Sequence, residues 1–125
     1  MNKCKINIWG REFDLPVICE CYDGEEVLES QKEAEALLEE NLKEVAASLN
    51  QVKKYIQETE TAQLTEDKID NIFRYVMPKS VFVPHIAEHL IAAIMCDYKF
   101  DLEHGIAVVF ENGRFKEVGP QDIVL

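Results

Sequence analysis

Residues 3–9 alternate, with Cys4, Ile6 and Ile8 on one side and Lys3, Lys5 and Asn7 on the other. A period of two sends successive side chains to opposite faces, which predicts a half-buried strand. Gly10-Arg11 supplies a turn. Phe13, Leu15, Val17, Cys19 and Cys21 then alternate with Asp14, Glu20 and Tyr22, completing a β-hairpin that Tyr22-Asp23-Gly24 ends. Pro16 lacks an N–H and pushes its strand towards an edge or a bulge.

The period changes at about Val27. From there to Gln57, Ala34, Leu38, Leu42, Val45, Leu49, Val52 and Ile56 recur every three or four residues, with Glu35, Glu39, Glu40, Lys43, Glu44, Lys53 and Lys54 mostly opposite. That stripe predicts one long helix, about 45 Å in length, bent or broken near Ser48-Leu49-Asn50. It spans about four heptads, and a single stripe laid on a sheet explains it as well as a coiled coil does.

Glu58 to Gln63 reads as a loop. Thr65 is a good N-cap, Glu66 and Asp67 suit a first turn, and Ile69, Ile72, Phe73 and Val76 form the stripe of a second, short helix that Pro78 stops. Ser80 to Val83 is a short strand. Pro84 to Glu88 connects it to a further strand over Leu90 to Tyr98, where a helix fits the same apolar residues almost as well. Ile106 to Glu111 is a strand, Asn112-Gly113 a two-residue hairpin turn, and Phe115 to Val118 the return strand. Gly119 to Asp122 turns again, before a last short strand at Ile123-Val124-Leu125. The expected fold is a single α+β domain over residues 1–125: an N-terminal β-hairpin, one long and one short helix, and a C-terminal antiparallel β-meander packed on the helices.

Composition narrows the partners. Of 125 residues, 47% are hydrophobic, enough for a core without disulfides. The 13 Lys and Arg against 24 Asp and Glu give a net charge of −11. A field of that sign repels nucleic acid and anionic membranes and attracts basic proteins, although acidic residues also serve plain solubility. The N-terminus lacks the apolar run of a signal peptide, and no stretch approaches a membrane span, so a cytoplasmic location is expected. Cys4, Cys19, Cys21 and Cys96 then read as reduced thiols. A thiolate metal site is the alternative, but Cys-x-Cys is not the usual zinc spacing, and core thiols are favoured.

Candidate chemistry gathers late in the chain. Asp97, Asp101, Glu103 and His104 lie within eight residues, beside a strand and a hairpin turn. Carboxylates and imidazole can bind a divalent metal or exchange protons. The same residues also suit a structural turn, with Asp101 accepting from backbone N–H groups and Gly105 taking φ > 0. The turn is favoured, because it explains the glycines and needs no distant ligand. His85 and His89, with Glu88, superficially resemble a metal pair, but the strand expected after them argues against it. No nucleophile motif or phosphate loop occurs, and no cofactor is expected.

The segment Asp101-Leu102-Glu103-His104-Gly105, its strand, Asn112-Gly113, Val118-Gly119 and Gln121-Asp122 resembles small bacterial proteins of uncharacterised families. Some of those are thought to be immunity-like proteins encoded near polymorphic toxins. The resemblance implies a bacterial, cytoplasmic α+β protein and carries over no catalytic residue. The expected function is a non-enzymatic protein-binding module, its acidic surface meeting a basic partner, with Asp97, Asp101, Glu103 and His104 as candidate binding residues. The alternatives are a homo-oligomeric structural module, or a metal-dependent enzyme built on those same four residues.

Overall fold

The computed structural model describes residues 3–60, 63–66 and 68–125. Strands β1 (Lys3–Ile8) and β2 (Arg11–Cys19) form the first hairpin, and helices α1 (Glu29–Glu40) and α2 (Leu42–Thr59) follow. Strands β3 (Val76–Val83), β4 (Ile91–Tyr98), β5 (Ile106–Glu111) and β6 (Arg114–Gly119) complete a six-stranded sheet in the order β1-β2-β3-β4-β5-β6. Every neighbouring pair is antiparallel except β2 and β3, which run parallel over Val17–Cys19 and Val81–Val83. The fold is α+β with a mixed, mostly antiparallel sheet.

Both helices lie on one face of the sheet. Ala34, Leu38, Val45, Val52 and Ile56 meet Ile6, Ile8, Val81, Ile94, Val108 and Phe110 in the main core. The opposite face carries a smaller cluster of Phe82, Ala93, Met95, Ala107 and Val109, with Ile91 and Val124 packed against it. β4 and β5 are therefore buried on both faces, which is why they read as nearly continuous apolar runs.

Two hairpin turns carry left-handed backbone at two successive residues. Asn112 and Gly113 have φ of 55° and 78°, the geometry of the tight hairpin turn that Asn-Gly favours. In the first hairpin the turn residues are Trp9 and Gly10, with φ of 53° and 88°, so the turn falls one residue earlier than Gly10-Arg11. Trp9 bears that conformation because its ring is buried, and its Nε1–H donates to the Ser48 hydroxyl at 3.1 Å. Pro16 stands opposite Lys3 at the end of the β1 ladder, just before the parallel ladder begins at Val17. Its strand is second in the sheet rather than an edge.

Four further expectations need correction. The long helix is two helices, starting at Glu29 and breaking at Asn41 instead of Ser48–Asn50. The Asn41 side chain donates to the Leu37 carbonyl at 2.7 Å and the Asn41 N–H to Leu38 at 3.3 Å, closing α1 there. Ser48 is instead buried inside α2, where it donates to the Val45 carbonyl and accepts from Trp9. Leu42, placed in the apolar stripe by its spacing, is exposed beside the break.

The second helix is absent among the described residues. A 3-10 turn at Ile72–Arg74 stands in its place, capped by the Asn71 side chain, which accepts from the Phe73 N–H. Asp67 lies outside the described residues. Ile69, Ile72 and Val76 are buried, yet Ile69 lies on an irregular segment, Ile72 in the 3-10 turn and Val76 at the start of β3. Pro78 does not stop a helix: it sits in β3 where the register with β4 shifts between Pro78 and Ser80, a bulge that tolerates its missing N–H. Cys21 lies beyond the end of β2 and is exposed, so it does not share the core with Cys19. The last expected strand is a 3-10 turn, Gln121–Ile123, whose Gln121 side chain reaches back to the Cys96 carbonyl.

The β5–β6 hairpin tip rests against the helix break. A Cβ on Gly113 would meet the Asn41 amide nitrogen at 2.5 Å and the Leu37 carbonyl at 3.0 Å, on a backbone with φ of +78°. Gly113→Ala is expected to destabilise the fold by about 1–3 kcal/mol, read from denaturant unfolding. An unchanged midpoint would mean that the tip and the helix break are not packed together.

Candidate functional site

Asp97, Asp101, Glu103 and His104 occupy the end of β4 and the loop to β5. Asp97 is exposed and pairs with Lys79 of β3 at 3.8 Å. Asp101 turns the chain: its carboxylate accepts from the His104 N–H at 3.1 Å and faces His104 Nδ1 at 3.1 Å, while its carbonyl accepts from Gly105. Glu103 is exposed on the same loop. The structure thus brings Asp101 and His104 together and gives Asp97 a separate partner. Among the described residues, no group of three or more His, Cys, Asp or Glu side chains is arranged to hold a metal ion.

Gly105 explains why this loop is tightly specified. It has φ of +59°, and a Cβ there would meet the Gln121 side chain at 2.5 Å and the Cys96 carbonyl at 2.6 Å. Gln121 donates its N–H to His104 and its amide to Cys96, so the loop is held by the turn that follows β6.

The other candidates separate too. His89 faces Glu111 at 3.1 Å, whereas His85 is directed towards the loop after β2. Burial, helped by Glu39, Glu35 and Asp14, pushes the Cys4 thiol up to about 12. Cys19 and Cys96 are also raised, chiefly by burial. Thiols held protonated in this way are poor nucleophiles and poor metal ligands.

A different region stands out electrostatically. Residues 20–44 hold ten of the acidic residues against Lys32 and Lys43, a net charge of −8 out of the chain's −11. They form the loop after β2, all of α1 and the start of α2. Asp23, Glu25, Glu26, Glu29, Glu33, Glu39 and Glu40 are exposed, as are Val27 and Tyr22, the latter 64% open to solvent.

This loop is anchored from beneath. Gln31, only 1% exposed, accepts from the Leu28 N–H at 2.8 Å and donates to the Glu20 and Val83 carbonyls at 2.9 and 3.1 Å. One amide thereby ties α1 to the loop and to the end of β3. Ser30 adds a bond to the Ile86 carbonyl at 3.0 Å. The His85 N–H donates to the Glu20 carboxylate at 3.3 Å, its ring lies edge-on to Tyr22, and its Nε2 is 3.9 Å from the Glu25 carboxylate. In the sequence, residues 22–24 show only as a turn, and this assembly does not show at all. The run of acids from Asp23 to Glu29 was the available signal; the buried glutamine gave none.

The model of a domain of unknown function, DUF6985, matches residues 1–125. The chain belongs to that family. No curated protein matches it, and no solved structure does. In this DUF6985 chain α1 and the loop after β2 carry most of the net negative charge, and the Asp101–His104 turn is an exposed, hydrogen-bonded one.

Gln31→Leu is expected to cost about 1–3 kcal/mol, since the Leu28 N–H loses its acceptor and the Glu20 carbonyl its side-chain donor, while the Val83 carbonyl keeps the Glu20 N–H. It should also raise amide hydrogen exchange across residues 20–28 ahead of the sheet; uniform exchange would show that Gln31 does not anchor the loop. At the exposed turn, Asp101 raises the His104 pKa above its usual value by hydrogen bonding and charge, and the His104 N–H holds Asp101 below the carboxylate range. The His104 contribution is full below pH ~6.5 and fades as pH rises through its raised folded value. The Asp101 contribution is present above pH ~3.9 and fades as pH falls through its lowered one. NMR titration should give His104 a pKa above the usual histidine value in the native chain and a lower one in Asp101→Asn. Equal values in the two would remove the pairing.

Proposed function

We propose that this DUF6985 chain is a protein-binding module whose acidic segment, residues 20–44, receives a basic partner protein. The observation that carries this reading is the net −8 on one exposed loop and helix. Charge so concentrated steers a basic partner during approach, while a few desolvated anchors set the affinity. Tyr22 and Val27, apolar and exposed among Asp23, Glu25 and Glu26, are the anchors the surface offers. The buried Gln31 amide limits the loop's freedom, which lowers the ordering cost of binding.

The resemblance of the C-terminal segment to small bacterial proteins supports a bacterial, cytoplasmic setting and an immunity-like role. In that role the partner is a basic toxin domain, and the acidic segment covers it. Asp101 and His104 then hold the β4–β5 loop in shape, and Asp97 pairs with Lys79, at a distance in sequence from the contact.

Immobilised protein exposed to native lysate at low and high salt tests the proposal, alongside a variant with Glu25, Glu26, Glu29 and Glu33 changed to Gln. One dominant basic species should bind the unaltered chain at near-equal stoichiometry, weaken with salt and be lost from the variant. Equal retention by both proteins, or no retained protein at either salt, would end this reading.

A further inference from the structure

The free edge of the sheet at β6 matches itself. β6 ends the strand order, and the Phe115 N–H donates to the Glu44 carboxylate of α2 at 3.0 Å, so it points away from β5. Phe115 stands opposite Phe110, and Val118 opposite Val108. Phe110 and Val108 lie two apart on one strand and turn their backbone groups the same way, towards β4. Val118 therefore turns its N–H and C=O to the free edge, as Phe115 does. The register shift between Val109 and Phe110 leaves Lys116 and Glu117 as two inward residues between them.

α2 runs beside this edge and touches its backbone through Glu44. A groove of about 270 Å³ separates them, lined by Lys54 and Tyr55 on the helix and by Phe115 and Val118 on the strand. A two-fold axis through the middle of Lys116-Glu117 sets the strand antiparallel to its own copy. Phe115 then faces Val118, Lys116 faces Glu117, and each pairing occurs twice. Outward backbone groups meet outward backbone groups, the two-residue bulges face each other, and opposite charges oppose. The other edge, β1, carries Lys3 and Lys5 with no carboxylate to answer them.

We propose that β6 pairs with β6 of a second copy of this chain about that axis, and that Glu44 holds the edge closed in the monomer by occupying the Phe115 N–H. The interface is self-complementary and closed, so assembly stops at two. The partner's Val118 carbonyl must displace the Glu44 carboxylate, which makes Glu44 a competitor of dimerisation. The −11 on each copy opposes close approach most strongly at low salt and is screened at physiological ionic strength.

Sedimentation over a range of concentrations at physiological ionic strength tests this, with melting curves to confirm that each variant is folded. Glu44→Ala should dimerise about tenfold more tightly than the unaltered chain, or more. In that background, Lys116→Glu and Glu117→Lys should each weaken the dimer by setting like charges opposite one another. The double exchange should restore it, because every facing pair is again of opposite sign. A Glu44→Ala protein that stays monomeric throughout would overturn the proposal. So would a double exchange no tighter than either single one, since that excludes this register.

Discussion

The parallel pairing of Val17–Cys19 with Val81–Val83 is the constraint on which the rest of the structure depends. Antiparallel neighbours can be joined by a two-residue turn, but parallel ones require the chain to return to the starting end of the sheet. Here the return is made by α1, α2 and the irregular stretch before β3. That excursion puts both helices on one face and sends the acidic loop out from the end of β2. Gln31 secures the junction, since its one amide bonds carbonyls from both sides of the crossover.

The two faces of the sheet solve different problems. The helix side buries large branched and aromatic residues against α1 and α2. On the other side Ala93 and Ala107 sit between Phe82, Met95 and Val109, so small side chains are shielded by larger neighbours and by Val124. No described helix covers that side. Lys79–Asp97, Lys116–Glu111 and His89–Glu111 supply charged pairs at the ends and outer strand of this part of the sheet, where exposed pairs contribute little to stability.

Legibility followed locality. Strands with a clean period of two, and the Asn112-Gly113 turn, declare themselves because the responsible residues are adjacent. The Asp101 turn was readable for the same reason. The helix break was not: Asn41 closes α1, but the hairpin tip that packs on it arrives with Gly113, far along the chain. Ile69, Ile72 and Val76 mimic helical spacing because an irregular segment, a 3-10 turn and the first residue of β3, laid in succession on a core, also bury every third or fourth residue. The acid-rich loop was visible as composition, but its anchoring by Gln31 and His85 rests on contacts between distant segments. Such contacts leave no local pattern.

The parallel ladder also bears on the order in which the chain is made. Synthesis delivers β1 and β2 first, and their apolar side, with Ile6, Ile8, Leu15 and Val17, must wait for its covering. α1 and α2 come next and can shield that side at once. The open flank of β2 has no neighbour until Val81–Val83 emerges, more than sixty residues after Val17. During that interval the hairpin is a partly covered ribbon with an unmatched row of backbone groups. Lys3 and Lys5 on one strand, and Glu12 and Asp14 on the other, put charged side chains along both flanks of that waiting ribbon, which hinders its edges from pairing with another chain.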